Sequence, residues 1–321
     1  SVDRRRKPGR FLLTGSANAL VVPQVSESLA GRMEVLTLLP FSQGEIEGQE
    51  EVFVEALFAS EFRPRKVKGA GWPELAERIA RGGFPEVQTR TEAKRRAAWF
   101  NSYVTAILER DVRDLTNVQN LSDLPRLLRL VAARSSGVLN LADLARDARL
   151  PLTTLQRHWA LLEAVFFVQT LPAWSGNLSS RLAKAPKVSL CDSGLLCHLV
   201  DIDAARLQSD ALMTGAALES FVAAELTKQA EWNETRPRLF HYRTHKQQEV
   251  DFVLEDARGQ LVGVEVKKTA SPDGGDFKGL RHLQDATGKR FLRGVLLYTG
   301  SESVAFGPEL YALPVSALWQ W

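Results

Sequence analysis

The sequence predicts a mixed α/β fold of several modules, and three observations carry that prediction. The chain has 321 residues, 45% hydrophobic and 25% charged, which is enough apolar material for about two or three domains with cores of their own. Helical periodicity dominates residues 49–164, whereas strand-like runs parted by turns dominate 239–298. Short apolar runs at 11–13 and 35–39 read as strands of a parallel sheet near the N-terminus.

Taken in order, Phe11-Leu12-Leu13 forms a short buried strand that ends in Thr14-Gly15-Ser16. A helix over 17–29, interrupted at Pro23, and a strand over 35–39 follow. Residues 49–118 read as helical. The helix 72–81 is stopped by Gly82-Gly83-Phe84-Pro85, and the amphipathic helix 93–115 ends in Glu109-Arg110-Asp111. Helices at 124–133, 141–148 and 154–163, the last capped by Thr153, lead into a strand at 165–171. Three helices followed by a strand predict a winged helix-turn-helix over 121–176. Its third helix is expected to expose Arg157 and His158, which with Arg146 and Arg149 are candidate contacts to DNA phosphates. Asp143, Asp147 and Glu163 dilute that field, so a protein partner on this module is the alternative.

Beyond a loop at 175–177, the pattern gives a short strand or a tight helix entry at 188–192 and a helix at 194–200 capped by Asp192 or Ser193. A polar linker at 201–209 and a helix at 215–229 come next. Strands at 239–243, 249–255 and 261–267, a helix at 277–285 and a strand at 291–298 complete a mixed sheet.

Composition removes several function classes. No apolar run reaches the roughly 18 residues of a membrane span. The two cysteines, Cys191 and Cys197, can build neither a disulfide framework nor a four-cysteine zinc site, and they suit a cytoplasmic protein. Forty-one basic and 38 acidic side chains give a net charge of +3, which permits nucleic-acid binding without demanding it. Neither Ser16 nor Ser193 sits in a Gly-x-Ser-x-Gly elbow. A basic opening segment without an initiator Met predicts a piece of a longer protein.

The chemistry-bearing pattern lies in the late strands. Folding the hairpin about Asp256-Ala257-Arg258-Gly259 brings Asp251 level with Val264 or Glu265, depending on the turn. Glu265 and Lys267, two apart, share one strand face, while Val264 and Val266 face the core. Glu219 on the preceding helix is a third carboxylate. Glu219, Asp251 and Glu265, with the Val266 carbonyl, are the expected Mg²⁺ ligands, since this hard cation takes oxygen donors. The metal would acidify a water, and Lys267 would orient it or stabilise charge on a phosphodiester. An acidic pair followed by Glu-Val-Lys is the signature of restriction-endonuclease-like folds. Arg243 either clamps a phosphate near Asp251 or pairs with Glu249. The competing reading is a salt-bridged sheet face in which Lys267 neutralises Asp251 and Glu265.

The chain resembles bacterial AAA-type ATP-binding proteins that carry the C-terminal domain of unknown function 4143. The residues that carry the resemblance begin with Phe11-Leu12-Leu13-Thr14-Gly15-Ser16-Ala17, Leu29-Ala30-Gly31-Arg32, Pro40-Phe41-Ser42 and Gly83-Phe84-Pro85. They continue through Glu109-Arg110-Asp111-Val112, Pro186-Lys187, Asp192-Ser193-Gly194-Leu195, Tyr242-Arg243, Glu249-Val250-Asp251-Phe252 and Val264-Glu265-Val266-Lys267. The resemblance implies that residues 1–48 are the C-terminal remnant of a P-loop ATPase core and 49–120 a helical lid. It makes 121–176 the winged helix and 177–321 the nuclease-like domain. Thr14 and Ser16 match the position that senses the γ-phosphate. Arg32 matches an arginine finger or sensor, or else simply caps a helix after Gly31. No Gly-x-x-x-x-Gly-Lys-Ser/Thr occurs, so ATP is expected to bind only in an intact longer protein, and this chain alone is not expected to hydrolyse it. Oligomerisation through the ATPase part is a further implication.

Overall fold

The computed structural model of the chain describes residues 9, 11–18, 33–115 and 121–321. Arg32, and residues 19–29 of the expected early helix, lie outside them. Residues 11–13 and 33–39 join no strand ladder among the described residues, and Leu12 and Leu38 are more than nine-tenths exposed. An apolar run becomes a buried strand only where neighbours supply both ladder and cover. Asn18 N–H donates to Ala164 O at 2.8 Å and ties this segment to the middle of the chain.

Helix α1 (Gln43–Glu47) starts on a reciprocal capping box between Ser42 and Glu45 and ends on the left-handed Gly48. Then come α2 (Phe53–Phe58), α3 (Trp72–Arg81), α4 (Pro85–Gln88) and α5 (Ala93–Ala106). A π-helical turn at Ile107–Asp111 joins α5 to α6 (Val112–Leu115).

Helices α7 (Leu124–Ala132), α8 (Leu141–Ala148) and α9 (Leu152–Ala164) pack in sequence. Asn140 caps α8, accepting from the amides of Ala142 and Asp143. Helix α9 begins two residues earlier than expected, after Pro151, so Thr153 lies inside its first turn and is not the cap. The strand expected at 165–171 shrinks to β1 (Val168–Leu171) because Phe166 takes a positive φ of 60°. Helix α10 (Leu178–Ala183) precedes β2 (Lys187–Leu190), which pairs antiparallel with β1. The expected boundary at 176/177 therefore falls between two paired strands.

Helix α11 (Ser193–Leu199) is capped by Asp192. The expected polar linker is instead α12 (Ala204–Ser209), capped by Asp203 and anchored by the fully buried Leu207. Helix α13 (Ala211–Trp232) follows, capped by Asp210. Strands β3 (Arg238–Arg243), β4 (Glu249–Glu255), β5 (Leu261–Lys267), β6 (Phe291–Tyr298), β7 (Val304–Gly307) and β8 (Leu310–Pro314) form a mixed sheet of order β3-β4-β5-β6-β8-β7. Strands β3, β4 and β5 are antiparallel neighbours, and the crossover through α14 (Lys278–Thr287) makes β5 and β6 parallel.

The sheet is covered on both faces. Phe252, Leu254, Val262, Val264 and Val295 join the core built around Leu218, Phe221 and Val222 of α13. Val253, Leu261 and Leu296 pack instead with Leu280 and Leu283 of α14. Close packing at the start of α14 needs Gly279, where a Cβ would stand 1.9 Å from Glu249 O. The terminal helix α15 (Ala317–Gln320) returns to α1 and α2, and Val52 N–H donates to Trp321 O at 2.8 Å. Among the described residues no helix is long and apolar enough to cross a membrane.

A buried polar junction fastens residues 41–51 to the rest. Gln43 N–H donates to Glu225 at 2.8 Å, and Lys228 Nζ bonds both Glu225, at 2.7 Å, and Phe41 O, at 2.9 Å. Glu51 accepts from the Ser42 hydroxyl and from Gly44 N–H. Asp192 accepts from Leu195 N–H at 2.9 Å and from Gly83 N–H at 2.6 Å. Gly82 holds a φ of +70°, and a Cβ on it would strike the Asp192 carboxylate.

Candidate functional site

The site forms where β4 and β5 part. The ladder pairs Phe252 with Val264, and one step further sets Asp251 opposite Glu265. This settles the choice that the turn left open. Between Phe240 and Tyr242 the β3–β4 register shifts, so β4 carries an extra residue beside Asp251. Such a bulge re-aims a side chain. Asp251 Oδ2 accepts from Val266 N–H at 2.9 Å across the gap.

Two lysines flank the carboxylates. Lys267 Nζ lies 3.0 Å from Glu265 Oε1, so the shared strand face predicted from their spacing forms as expected. Lys187 was not anticipated. It opens β2, is buried to 4% exposure, and sets its ammonium 2.7 Å from Glu249, 2.9 Å from Glu219 and 3.6 Å from Asp251. Glu249 was likewise missed as a member of the cluster. Strand alternation placed it on the face of Asp251, and Pro186-Lys187 was visible as a motif without a role.

Electrostatics follow from this crowding. Burial pulls the Lys187 ammonium down, but Glu219, Asp251 and Glu249 together lift it above the ordinary lysine value. Burial raises the Glu219 carboxyl, and Asp251 raises it further against the pull of Lys187. Asp251 is raised by burial, and Glu265 by burial and then by Asp251. Glu249 alone falls below its usual value, because its bond to Lys187 outweighs its shallower burial. The tightest pair is thus Glu249 with Lys187, while burial and crowding hold Glu219, Asp251 and Glu265 above their usual values.

Two of the expected Mg²⁺ ligands are engaged by the chain's own groups. Glu219 is bonded to an ammonium, and both Asp251 oxygens have partners. Among the described residues no group of three or more His, Cys, Asp or Glu is placed to hold a metal ion. Glu265 Oε2, by contrast with the Asp251 oxygens, is buried with no hydrogen-bond partner.

The remaining candidates lie elsewhere. Arg243 sits 4.0 Å from Glu249 and bonds Gln247, the pairing alternative named above. Arg157 is exposed, Arg146 pairs with Asp143, and Arg149 closes α8 in a left-handed conformation. His158 is corrected: it is 1% exposed, packed inward with Leu155, Trp159 and Leu162, and burial lowers its pKa. It cannot reach a phosphate from there. Thr14 and Ser16 are exposed.

Comparison with known proteins fits the order of these parts. Residues 1–47 match the family described as AAA domain. Residues 73–206 match Domain of unknown function (DUF8612), and 214–318 match Domain of unknown function (DUF4143). In order along the chain, an N-terminal segment thus matches an AAA domain and the C-terminal part matches DUF4143. It is 30% identical over 272 residues to the uncharacterized protein Rv2008c of Mycobacterium tuberculosis and, equally, to the uncharacterized protein Mb2031c of Mycobacterium bovis. Those matches cover 84% of this chain but 55% of each relative, so the chain spans about half the length of the curated relatives it matches. No solved structure matches it.

Proposed function

We propose that this chain is a nucleotide-regulated binding adaptor of an AAA-type protein, in which a restriction-endonuclease-like sheet holds partners without cutting them. The parts would be an ATPase remnant at 1–48, a lid at 49–120, a winged helix at 121–176 and the nuclease-like domain at 177–321. ATP would belong to the longer protein. The observation that carries the reading is Lys187, whose ammonium stands among Glu219, Glu249 and Asp251 and supplies the positive charge that a metal would bring. A buried carboxylate cluster with its own cation has a structural role, in which each charge offsets the desolvation of the others. The helix–three strands–helix–strand order from α13 to β6 supports the nuclease-like plan.

Thermal unfolding with 5 mM MgCl₂ or MnCl₂ tests the adaptor. The expected result is an unchanged Tm and intact supercoiled plasmid. A second reading, a metal-dependent nuclease using Asp251, Glu265 and Lys267, is favoured by the unpartnered Glu265 Oε2. A site filled at 100 times its Kd would add about 2.7 kcal/mol of stability. Such a gain, lost in Glu265→Gln, together with plasmid nicking lost in Lys267→Ala, would replace the adaptor by the nuclease.

A further inference from the structure

Residues 63–68 lie outside any helix or strand and follow Phe62, whose ring stacks on Trp321 and meets Tyr311 of β8. Their backbone is fixed from the C-terminal domain. Ser303 Oγ donates to Arg65 O at 2.7 Å, Ser316 Oγ to Lys68 O at 2.9 Å, and Lys68 N–H to Gln320 Oε1 at 2.8 Å. Contacts at the next residue continue the seam: a Cβ on Gly69 would lie 2.7 Å from Ser301. Thr299, two residues before Ser301, is hydrogen-bonded through its N–H to Thr269 O at 3.1 Å. Strand β5 ends in Lys267, and Lys268 follows with its ammonium 4.4 Å from the ring of Trp72.

This seam points its cations outward. Arg63, Arg65, Lys66, Lys68 and Lys268 are all exposed. Arg65 rests over the Trp321 ring, 5.7 Å from its centroid, which orders the guanidinium without using its N–H groups. The acidic side chains on the same segments are Glu61, paired with Arg63, and Glu302. Cations outnumber carboxylates on these segments, and on a backbone held from beneath they make a preorganised positive rail. Regularly spaced anions on a flexible strand suit it, since guanidinium and ammonium groups bind phosphate oxygens through charge-assisted hydrogen bonds.

We infer that residues 63–68 together with Lys268 form a binding surface for the phosphodiester backbone of nucleic acid. The inference rests on the adaptor reading only in supplying its partner. It locates the contact on this rail and not on the winged helix.

Fluorescence anisotropy tests it, with a fluorescein-labelled 20-nucleotide single-stranded DNA and, separately, its duplex. Wild type should bind at 50 mM salt and lose about 100-fold affinity by 200 mM through four phosphate contacts. The combined variant Arg63→Ala, Arg65→Ala, Lys66→Ala and Lys68→Ala should bind at least about 30-fold more weakly at 50 mM. Its slope of log K against log salt should be smaller by about 3. The charge-keeping variant Arg63→Lys with Arg65→Lys should bind within a few-fold of wild type, which separates lost charge from lost folding. Three results would overturn the inference. The first is wild type that binds neither probe. The second is an alanine variant that, with unchanged Tm, keeps wild-type affinity and slope, the loss falling instead on Arg146→Ala with Arg157→Ala. The third is displacement of the DNA by poly-glutamate mole for mole, which marks an acidic protein as the partner. Magnesium-dependent stability, the readout for the adaptor itself, does not depend on these residues, so the two failures are distinct.

Discussion

Lys187 is held by three carboxylates against the loss of solvent around it, so its charge and theirs are coupled. Removing the ammonium takes away the cation that Glu219, Glu249 and Asp251 share and leaves their burial and mutual repulsion far less opposed. Lys187→Met should cost about 3–5 kcal/mol near pH 8, the penalty of a broken buried pair. In wild type the lysine's contribution is complete below its ordinary value of 10.5 and is lost only as pH rises beyond its elevated folded one. In the variant the carboxyls climb further and the native state keeps protons that the unfolded chain releases. The loss should therefore be smaller at pH 5 than at pH 8. Urea unfolding at the two pH values measures it, and an equal loss at both would detach Lys187 from the carboxylates. At the same scale, His158→Leu should leave DNA affinity unchanged in the anisotropy assay, because the imidazole is packed inside the helical module.

Helix α11 depends on Asp192 twice, as its cap and as the acceptor for Gly83 N–H. Asp192→Ala removes a cap worth about 1 kcal/mol. It also strands a buried amide, at about 1–3 kcal/mol. A total near 2–4 kcal/mol, read as a lowered urea midpoint with unchanged slope, is the expected outcome. A change under about 0.5 kcal/mol would mean that water reaches Gly83. This cap was legible in Asp192-Ser193-Gly194, as were the hairpin from β4 to β5 and the shared face of Glu265 and Lys267, because local periodicity and turn chemistry decide them. The burial of His158 was also present in the spacing of Leu155, His158, Trp159 and Leu162, one face of a helix. What could not be read was tertiary. Lys187 meets its partners only through the docking of β2 beside α13 and β4. The shortened β1 hangs on the backbone angle of Phe166. Strands β7 and β8 offered runs too short and mixed to stand out.

Across the whole molecule, buried charge joins segments that lie far apart in the chain. Glu51 is pushed up to about 7, chiefly by burial, with Glu225 adding to it and Ser42, Gly44 and Lys228 opposing. Between its ordinary value of 4.5 and about 7 the native state holds a proton that the unfolded chain has released. That part of the stability falls as pH climbs through this window and is flat above it. Glu51→Gln keeps an acceptor for Gly44 and takes the titration away, so it should gain on wild type at pH 8 relative to pH 5. Urea midpoints at both values check this, and parallel pH profiles would count against it. Backbone hydrogen bonds add a further tie, since Trp174 N–H donates to His241 O at 2.6 Å and His241 N–H to Pro172 O at 2.9 Å. Dissecting the molecule at the border of its last family match, just before Thr214, would carry off Glu219, Glu249 and Asp251 and leave Lys187 behind. The excised piece would be an acid looking for a counter-ion, and any affinity it then displayed for magnesium would be an artefact of the cut.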